Sequence, residues 1–542
     1  MPRARTPAAS AFLLLTAITL SGLWSASARA TQSVVTRDTC AAPVSGRIGC
    51  DAQVLVYRDS RRPVHPEVNR RSSPRSIVST GQPAPEPLTP AYLQQAYDLS
   101  ALSTSRGTAD TVAIVGVYDD PSAATDLSKF RSTFALPPCT TANGCFRQLN
   151  EQGQPAPLPP ADSLWAEEQS MDIEAVSSLC PNCRIELVEA TAADAQDLQT
   201  AITVAIGAGA NQVSISGDGI YSENPFTDFS APGVSIVAAT GDDGALPSGE
   251  DAYPAALPYV TAVGGTTLVP NSSSAPTPRG VTETAWKGSA AGCDEQEQPP
   301  AYQPAAGCSG RMYADVSADG DPATGLTVYD SADGGWLDGG GTSLAAPLVA
   351  AFEAVTGVAG SSPQWAYADA AQLNDPTAGS TGSCSGELIL LCDAGQGYDG
   401  PTGAGSISGQ IVTGAPGIGL PAMGPAYDKT YTRRVSNTAA WTLAGVYPNG
   451  ETTTYYWQYG STTTYSSRTR GLSAGAGTRP VMVTAHLTDL KPGSTYHYRL
   501  VAVNATGTSY GYDASFTTSG HAAKAATRKL RRPRGRRRRR GQ

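Results

Sequence analysis

Two carboxylates four residues apart could form an acid–base pair within a helix. Glu168 and Asp172 share one stripe of that helix at 100° per residue, and the rest of the stripe is apolar. Its other members are Trp165, Ala175, Val176 and Leu179. Charge is costly on an apolar face, and like charges at this spacing disfavour each other unless one carboxyl is protonated. A pair that holds one proton could act as a general acid and base at acidic pH.

The same segment has a plainer interpretation. Glu167 and Glu174 fall outside the stripe, on the side that is expected to be polar. If the buried face is rotated relative to this assignment, the acidic residues form a solvated patch that does no chemistry. The spacing alone leaves both interpretations open.

A serine follows a run of three glycines at 339–341. Such a run allows close backbone approach, and the apolar residues after Ser343 predict a helix with Pro347 in its first turn. The positive end of the helix dipole would favour negative charge developing near Ser343. The serine could instead be an ordinary helix N-cap. The glycine run favours the catalytic interpretation, because a simple cap needs no such access.

These segments together resemble a known group of peptidases. The sequence GTSLAAP at 341–347 resembles the serine motif of subtilisin-like folds, and the spacing of Glu168 and Asp172 resembles that of the sedolisins, or serine-carboxyl peptidases. The segment GDDG around Asp242 resembles the sedolisin segment whose first aspartate completes the oxyanion hole. The similarity runs in the same order across roughly 89–410. It implies a subtilisin-like fold and a serine peptidase activity.

The chain would have to perform this chemistry without imidazole, because none of its four histidines lies between residues 66 and 485. A serine hydroxyl needs a base within hydrogen-bond reach. By analogy with catalytic triads, Glu168 is expected to be the base for Ser343, with Asp172 as its orienting partner. A protonated Asp242 would donate to the oxyanion. Ordinary Asp and Glu titrate near pH ~4, so an ionised base beside a neutral donor predicts an acidic optimum.

A calcium site is also implied by the resemblance. The segments LNDPT at 373–377 and GQGYDG at 395–400 resemble the sedolisin site, in which two aspartate side chains and three backbone carbonyls hold one structural Ca²⁺. Hard oxygen ligands of this kind suit calcium. The corresponding residues are the side chains of Asp375 and Asp399 and the carbonyls of Pro376, Gly395 and Gly397.

Buried strands alternate with helices through the middle of the chain. Apolar runs at 111–118, 184–190, 211–216 and 233–240 predict strands, and helices are predicted at 124–134 and 195–210. Continuous apolar strands of this kind favour a parallel sheet covered on both faces. The predicted fold class is therefore α/β, with a parallel-sheet, subtilisin-like catalytic domain at 89–420.

The residue composition and pattern change after Pro421. Short strands rich in Tyr, Thr and Val predict a small all-β sandwich at 428–518, and Leu490, Pro492 and Tyr496 resemble the corner of a fibronectin type III domain. Such modules usually serve as spacers or binding units. The last segment, 519–542, predicts a basic disordered tail.

The beginning of the sequence predicts export. Residues 1–30 have the basic start, short apolar core and small-residue cleavage site of a signal peptide. Ten cysteines in close neighbouring pairs then favour local disulfides, 40–50, 139–145, 180–183, 293–308 and 384–392. The CPNC segment at 180–183 could instead be a redox or zinc half-site, but no nearby histidine completes one. We therefore expect a secreted, monomeric protein that acts on protein or peptide substrates.

Charge is unevenly distributed along the chain. The sequence holds 47 Asp and Glu against 38 Lys and Arg, and 11 of the basic residues lie in 521–542. An acidic body loses self-repulsion as its carboxylates protonate, which suits work at low pH. The tail could be merely solvated, or could adhere to an anionic cell envelope; a specific nucleic-acid role is not expected. An alternative function is a catalytically inactive cell-surface binding protein that uses the sandwich and tail.

Three features depart from the sedolisin pattern. The serine motif begins with Gly340 where a serine is usual, and Gly217 stands where many relatives carry a tryptophan. The family's long folded pro-segment is not expected either, since a Pro- and Arg-rich leader or short pro-segment at 31–88 precedes the catalytic domain. Inhibition, self-cleavage and the geometry of substrate binding are therefore open at this level.

Overall fold

The computed structural model describes most of the chain between residues 33 and 520. The described residues are 33–40, 47–58, 60–64, 88–221, 223–246, 251–271, 279–300, 302–303, 308–358, 360, 362–382, 390–413, 422–423, 435–448, 452–476, 481–504, 508–510 and 514–520. The predicted signal peptide and all but the first two residues of the predicted basic tail lie outside them, as does Cys384.

An eight-stranded sheet forms the centre of the α/β region. Its strands are β4 (Thr111–Val117), β5 (Phe146–Asn150), β6 (Arg184–Ala190), β7 (Gln212–Ile215), β9 (Ser235–Ala239), β11 (Thr261–Pro270), β12 (Val281–Ala285) and β15 (Val316–Asp319). The order is β12-β11-β9-β7-β4-β6-β5, with β15 also paired to β11. All neighbours run parallel except β11 and β12. The predicted parallel sheet is confirmed.

Helices cover both faces of this sheet. They are α1 (Pro90–Ala96), α2 (Ser100–Ser105), α3 (Ala123–Thr133), α4 (Ser163–Leu179), α5 (Ala195–Ala208), α6 (Thr342–Thr356), α7 (Gln364–Ala368) and α8 (Gln410–Thr413), with a 3-10 turn at Ala370–Gln372. Alternate residues of β4 enter two different cores: Val112 and Ile114 pack with α4 and α6, whereas Ala113 and Val115 pack with α5. The two-residue period of a strand thus explains why every residue of β4 is buried.

Shorter strands complete the region around the sheet. They are β1 (Val34–Asp38), β2 (Gly49–Cys50), β3 (Gln53–Tyr57), β8 (Gly217–Tyr221), β10 (Asp251–Tyr253), β13 (Gly292–Asp294), β14 (Arg311–Tyr313), β16 (Leu326–Asp330) and β17 (Gly335–Gly340). They form a four-stranded sheet β1-β3-β17-β16, a three-stranded sheet β10-β8-β2 and the pair β13-β14.

The leader segment is the main correction to the sequence-based picture. Residues 31–88 were expected to be a leader or short pro-segment outside the domain at 89–420, yet β2 and β3 pair with strands of the α/β region, and Val54 and Val56 are fully buried in the core beneath α4 and α6. Alternating apolar residues in QVLVY explain this burial, because every second side chain of β3 points into the core. The Pro and Arg content of the surrounding segment masked that short strand.

The C-terminal region is all-β, as predicted. Its strands are β18 (Ala422–Met423), β19 (Ala440–Tyr447), β20 (Thr453–Gly460), β21 (Ser467–Arg468), β22 (Leu472–Gly475), β23 (Val481–Leu487), β24 (Thr495–Val503), β25 (Thr508–Tyr510) and β26 (Ala514–Thr517). They form two antiparallel sheets around a separate core that contains Trp457 and Tyr498. The hydroxyl of Tyr496 accepts a hydrogen bond from the Lys491 amide at 2.9 Å.

Four of the five predicted disulfides are present: 40–50, 139–145, 180–183 and 293–308. The fifth involves Cys384 and so lies outside the described residues. The CPNC cysteines form a short cross-link between α4 and β6, so in this structure they are not free thiolates that could bind zinc. Within the part of the chain that the structure describes, no helix combines the length and apolarity that crossing a bilayer requires.

A buried ion pair ties β14 to the residue that precedes β15. Arg311 and Asp315 are both fully buried, and their side chains form two hydrogen bonds of 2.7 and 2.6 Å. Asp315 also accepts from the Ala262 amide and the Tyr367 hydroxyl. Each charge therefore depends on the other for its compensation.

Removing Arg311 should destabilise the fold strongly. Arg311→Leu leaves the Asp315 carboxylate buried without its cation, so we expect a loss of about 3–5 kcal/mol in the free energy of unfolding. Urea titration in a Ser343→Ala background, which lacks the expected nucleophile, measures it. The exposed Arg58→Leu serves as control and should change stability by less than about 0.5 kcal/mol. Equal effects of the two variants would contradict the assigned role of the pair.

Candidate active site

Helix α4 brings the two predicted carboxylates inward. Asp162 caps the helix by accepting from the amides of Leu164 and Trp165 at 3.0 and 3.1 Å, which fixes where its first turn begins. Glu168 and Asp172 then lie on the side that packs against α6, and both are 1% exposed. Of the two interpretations that the spacing left open, the burial of this pair supports the inward one.

The expected polar side of α4 does not exist. Glu167 is 3% and Glu174 0% exposed, so the prediction that these residues lie in solvent was wrong. Arg37 of the leader strand β1 donates to Glu167 at 2.9 Å, and the Tyr329 amide of β16 donates to Glu174 at 2.8 Å. The strands β1, β3, β16 and β17 cover the side that the sequence alone left open.

Ser343 lies in the first turn of α6. The helix follows Gly341, whose φ of 107° belongs to the left-handed region that favours glycine, and Ser343 is fully buried. Its hydroxyl donates to the Ser216 carbonyl at 3.1 Å, and the Ser216 hydroxyl donates to Asp172 Oδ1 at 2.7 Å. Ser216, at the carboxyl end of β7, therefore bridges the serine and the aspartate.

Asp242 approaches the same helix end from the loop after β9. Its Oδ1 accepts from the Thr342 amide at 2.8 Å and from the Thr342 hydroxyl at 3.0 Å. Its Oδ2 is shielded from solvent and has no hydrogen-bond partner among the described residues. Burial of the carboxyl is the main cause that raises the pKa of Asp242 well above its usual range. A neutral Asp242 would present an O–H donor at Oδ2.

Burial also controls the protonation of the helix pair. It raises the pKa of Glu168 well above its usual range, and the nearby Asp172 carboxylate raises it further, while Ser343 lowers it. Ser343 is thus close enough to interact with Glu168, although in this conformation its hydrogen bond goes to the Ser216 carbonyl and neither Glu168 oxygen has a hydrogen-bond partner. Burial likewise raises the pKa of Asp172, against the Ser216 hydrogen bond.

The structure brings all four predicted catalytic residues into one cluster: Glu168 and Asp172 on α4, Ser343 on α6 and Asp242 on the adjoining loop. Such an arrangement could deprotonate a hydroxyl and stabilise an oxyanion without histidine. Sequence reasoning missed Ser216, which the position of its strand could have suggested, because sites in α/β folds gather at the carboxyl ends of strands. It also missed two buried aspartates that line a cavity beside Asp242, Asp51 between β2 and β3 and Asp218 on β8. Nothing in the local sequence marked either of them.

Close packing explains why glycine stands at positions 340 and 217, where the sequence departs from the sedolisin pattern. A Cβ at Gly340 would lie 2.5 Å from the Pro322 nitrogen, so a serine there would collide with backbone. A Cβ at Gly217 would lie 2.8 Å from the Gly49 carbonyl oxygen of the leader and 3.1 Å from the Trp165 ring. Gly217 therefore leaves room for the leader strand where a tryptophan would exclude it.

The predicted calcium ligands lie in two adjoining segments. Asp375 accepts from the Gly397 amide at 3.1 Å, and Asp399 accepts from the Gly395 amide at 2.8 Å. Asp399 is fully buried and also accepts from the Thr402 amide and hydroxyl. Two carboxylates thus converge on the loop whose carbonyls were predicted to join them. This donor set consists of hard oxygens, which suits calcium.

Comparison with known proteins agrees with this architecture. Residues 164–374 match the Subtilase family, which confirms the subtilisin-like α/β fold. Kumamolisin from Bacillus sp. (strain MN-32) is 31% identical over 340 residues, which are 55% of this chain and 58% of that protein. Sedolisin from Pseudomonas sp. (strain 101) is 28% identical over 221 residues, 34% of this chain and 35% of that protein.

A solved structure was also found, that of Pseudomonas sedolisin (serine-carboxyl proteinase) complexed with two molecules of pseudo-iodotyrostatin. It is 21% identical, with a TM-score of 0.47, and the alignment covers 60% of this chain and 96% of that one. In the alignments with the two curated relatives, the chain spans little more than half of the length of kumamolisin and about a third of that of sedolisin.

The many buried carboxyls should make the protein most stable at acidic pH. Burial raises the pKa of Asp120 and Glu167 to about 7 and that of Glu353 to about 8, so the folded state keeps protons that the unfolded state loses from pH ~4 upward. Stability contributed by these groups is therefore fully present below pH ~4 and is lost as pH rises towards about 7 to 8. Thermal unfolding of Ser343→Ala between pH 3.5 and 7.5 measures it.

Glu353→Gln isolates one such group. Glu353 is fully buried and accepts from the Trp365 indole at 2.9 Å, a bond that the glutamine oxygen can keep. The variant should reduce the pH dependence of the free energy of unfolding by about 1.4 kcal/mol per pH unit, because one titrating group is removed. The exposed Glu295→Gln should leave the slope unchanged. A melting temperature that rises from pH 4 to 7 would contradict the prediction.

Proposed function

We propose that this chain is a secreted serine-carboxyl endopeptidase that hydrolyses peptide bonds in proteins at acidic pH. One observation carries the proposal: Ser343, Glu168, Asp172 and Asp242 meet in a single shielded cluster, and the charged neighbours that shift the pKa of Glu168 are carboxylates. The similarity to kumamolisin and sedolisin supports the same class.

The nucleophile in this proposal is the Ser343 hydroxyl. On substrate binding it turns from the Ser216 carbonyl to Glu168, which accepts its proton as the oxygen attacks the scissile carbonyl. Asp172 shares a proton with Glu168 and orients its carboxyl group. The Ser216 hydroxyl holds the Asp172 side chain in place by a hydrogen bond. Glu168 then returns the proton to the leaving amine, and a water molecule repeats the sequence on the acyl-enzyme.

The oxyanion would be held by two donors. A neutral Asp242 donates from Oδ2, the oxygen that otherwise has no partner, and the Ser343 amide donates from the start of α6. Loss of the Asp242 proton would place a negative charge beside the developing oxyanion. The alkaline limb of activity is therefore assigned to Asp242, and the acidic limb to ionisation within the Glu168–Asp172 pair.

A structural calcium ion belongs to the same proposal. Asp375 and Asp399 would supply side-chain oxygens, and Pro376, Gly395 and Gly397 would supply carbonyls. When bound, the ion would offset the charge of two neighbouring carboxylates and fix the loop 395–400. It takes no part in the chemistry at Ser343.

We assign the remaining parts of the chain to export, spacing and attachment. The disulfides support folding in an oxidising compartment, as expected after export by the segment 1–30. We assign the region 428–518 to a fibronectin type III-like spacer or binding module, supported by the Tyr496 hydroxyl at its predicted corner. The tail 519–542 would attach the protein to an anionic cell envelope by charge.

Substitution of the proposed catalytic residues should separate their roles. Ser343→Ala should lower kcat/KM on acid-denatured casein by roughly 10³- to 10⁶-fold, because the nucleophile is gone. Asp242→Leu should cost about 10²- to 10³-fold through loss of an oxyanion donor. Asp242→Asn keeps an N–H donor that does not titrate, so it should retain more activity and extend the alkaline limb to higher pH.

The exposed Asp228→Asn is the matched control and should leave the pH profile unchanged. Full activity of Ser343→Ala, or an optimum near neutral pH in the wild type, would exclude the proposed mechanism. An inactive wild type at pH 3–5 with intact fold would instead favour the cell-surface binding function.

Removal of calcium should lower stability without changing the chemistry. Chelation by EDTA is expected to reduce the melting temperature of Ser343→Ala by roughly 5–10 °C, as expected when a ligand present at about 100 times its Kd is withdrawn. Asp375→Ala should start from the lower temperature and no longer respond to EDTA. The nearby exposed Asp393→Asn should respond like the parent protein. An identical EDTA response in Asp375→Ala would rule out this site.

A further inference from the structure

A segment of the chain itself runs through the proposed active site. Gly49 and Cys50 of β2 pair antiparallel with Asp218 and Gly217 of β8, on one side of Ser343. On the other side, Gln53 and Val54 of β3 pair antiparallel with Gly340 and Gly339 of β17. The segment 49–54 therefore lies extended between two strands that both end at the catalytic cluster.

Asp51 occupies the centre of this segment. Its amide donates to the Ser216 carbonyl at 3.3 Å, and its carbonyl oxygen accepts from the Ser343 amide at 3.2 Å. The same oxygen lies beside Asp242, since a Cβ on Gly341 would be 2.0 Å from it and 2.7 Å from Asp242 Oδ2. The Asp51 carbonyl thus sits between the two donors assigned to the oxyanion. The peptide bond that it belongs to is Asp51–Ala52.

The side chain of Asp51 enters a cavity lined by carboxyl groups. It is 7% exposed, and Asp218, which faces it from β8, is 3% exposed. All the ionisable residues that line this cavity are aspartates: Asp38, Asp51, Asp218, Asp242 and Asp243. The charge of Glu168 on α4 also raises the pKa of Asp51. No cation among the cavity residues compensates these groups, so protons must.

A shared proton would satisfy Asp51, whose buried Oδ2 has no hydrogen-bond partner among the described residues. Burial, followed by the charge of Asp218, raises the pKa of Asp51 well above its usual range. Burial also raises the pKa of Asp218, to about 7, but the hydrogen bond from Asp51 acts in the opposite direction. A proton on Asp51 would then be donated to Asp218, which lines the same cavity.

We propose that Asp218 selects a protonated carboxylic acid side chain at the residue before the cleaved bond, and that Asp51–Ala52 in the chain's own leader is the first bond so selected. The inference rests on the proposed peptidase function and adds its substrate class. Of the two forms of an acidic side chain, only the neutral acid both fits the uncompensated cavity and donates to Asp218. An aliphatic side chain leaves Asp218 without a partner, and that costs binding free energy.

The reaction on this bond is a hydrolysis. The Ser343 oxygen bonds to the Asp51 carbonyl carbon as its proton passes to Glu168, and the C–N bond to Ala52 breaks as that proton passes to nitrogen. Water then cleaves the ester, leaving a carboxyl group on Asp51 and an amino group on Ala52. The Cys40–Cys50 disulfide lies wholly on the N-terminal side of this bond, so it does not join the two products.

The first experiment uses the full chain. Protein purified at pH 7.5 is shifted to pH 4, and products are identified by intact mass and N-terminal sequencing. The wild type should yield a new N-terminus that reads AQVL, from Ala52, and Ser343→Ala should yield none. Asp51→Leu should slow this cleavage at least tenfold, because its side chain cannot donate to Asp218.

Asp51→Asn separates charge from shape. Its amide can donate to Asp218 at any pH, so cleavage at this bond should persist and should decline less between pH 4 and 6 than in the parent chain. Cleavage elsewhere in the leader with the 51–52 bond intact would overturn the assignment. Equal rates for Asp51→Leu and the parent chain would overturn the role of the side chain.

The second experiment tests the selection in trans on the acid-treated enzyme. The probes are the peptides RIGSXAQV, which copy residues 47–54 with serine for Cys50 and with X as Asp, Asn, Leu or Lys. At pH 4 the kcat/KM for Asp should exceed that for Leu by about tenfold or more. Asp218→Leu should remove this ratio, and Asp218→Asn, which retains an acceptor oxygen, should keep part of it.

The exposed Glu223→Gln, just beyond β8, is the matched control and should keep the ratio. A preference for Lys, or a ratio near one in the wild type, would overturn the inference. Casein cleavage at pH 4 distinguishes the two levels of failure. An enzyme that digests casein without preferring acidic peptides refutes only the selection by Asp218, whereas an enzyme that digests neither refutes the peptidase function. Casein digestion by the Asp218 variants also shows that they fold.

Discussion

Carboxyl groups that are shielded from water without compensating cations are the constraint on which this structure depends. Around Ser343, the side chains of Glu168 and Asp172 are buried, and the Asp242 oxygen without a partner is hidden from solvent. Their charges cannot all exist together at reasonable cost, so protons have to bind. A site of this kind is expected to be most stable in acid, and in the proposed mechanism the same protonation leaves Asp242 as a donor beside the Glu168–Asp172 pair. Stability and the proposed chemistry are therefore expected to share one pH window.

The fold creates that constraint by covering α4 on every side. The central sheet lies on one side, α6 crosses it at the site, and the leader strands with β16 and β17 close the remainder. Away from the site the structure compensates a buried carboxylate with a specific cation, as Arg311 does for Asp315. Where chemistry is expected, it provides hydroxyls and amides instead. The contrast between ion-paired and proton-sharing carboxyls marks the site more clearly than acidity alone.

The leader strand connects this electrostatic arrangement with regulation. Extended backbone pairing on both sides of Ser343 gives affinity through main-chain hydrogen bonds, which any sequence could supply. Specificity must then come from the side chains that enter pockets, and Asp51 is the one that reaches the aspartate-lined cavity. Gly217 contributes by leaving space for the strand. Under the proposal above, this segment blocks the site at neutral pH and becomes a substrate in acid.

The sequence by itself determined the α/β class, the alternating strands and helices, four disulfides and the candidates Ser343, Glu168, Asp172 and Asp242, because apolar periodicity, cysteine spacing and short motifs are local properties. It also excluded histidine chemistry by composition. It misplaced Glu167, Glu174 and the leader, since a helix pattern shows which residues share a face but not what covers the opposite one. Only the tertiary structure decided that β2 and β3 enter the catalytic region and that Asp51 meets Asp218 and the Ser343 amide. Those contacts join residues more than 150 positions apart, and their energy arises from burial, which no local pattern encodes.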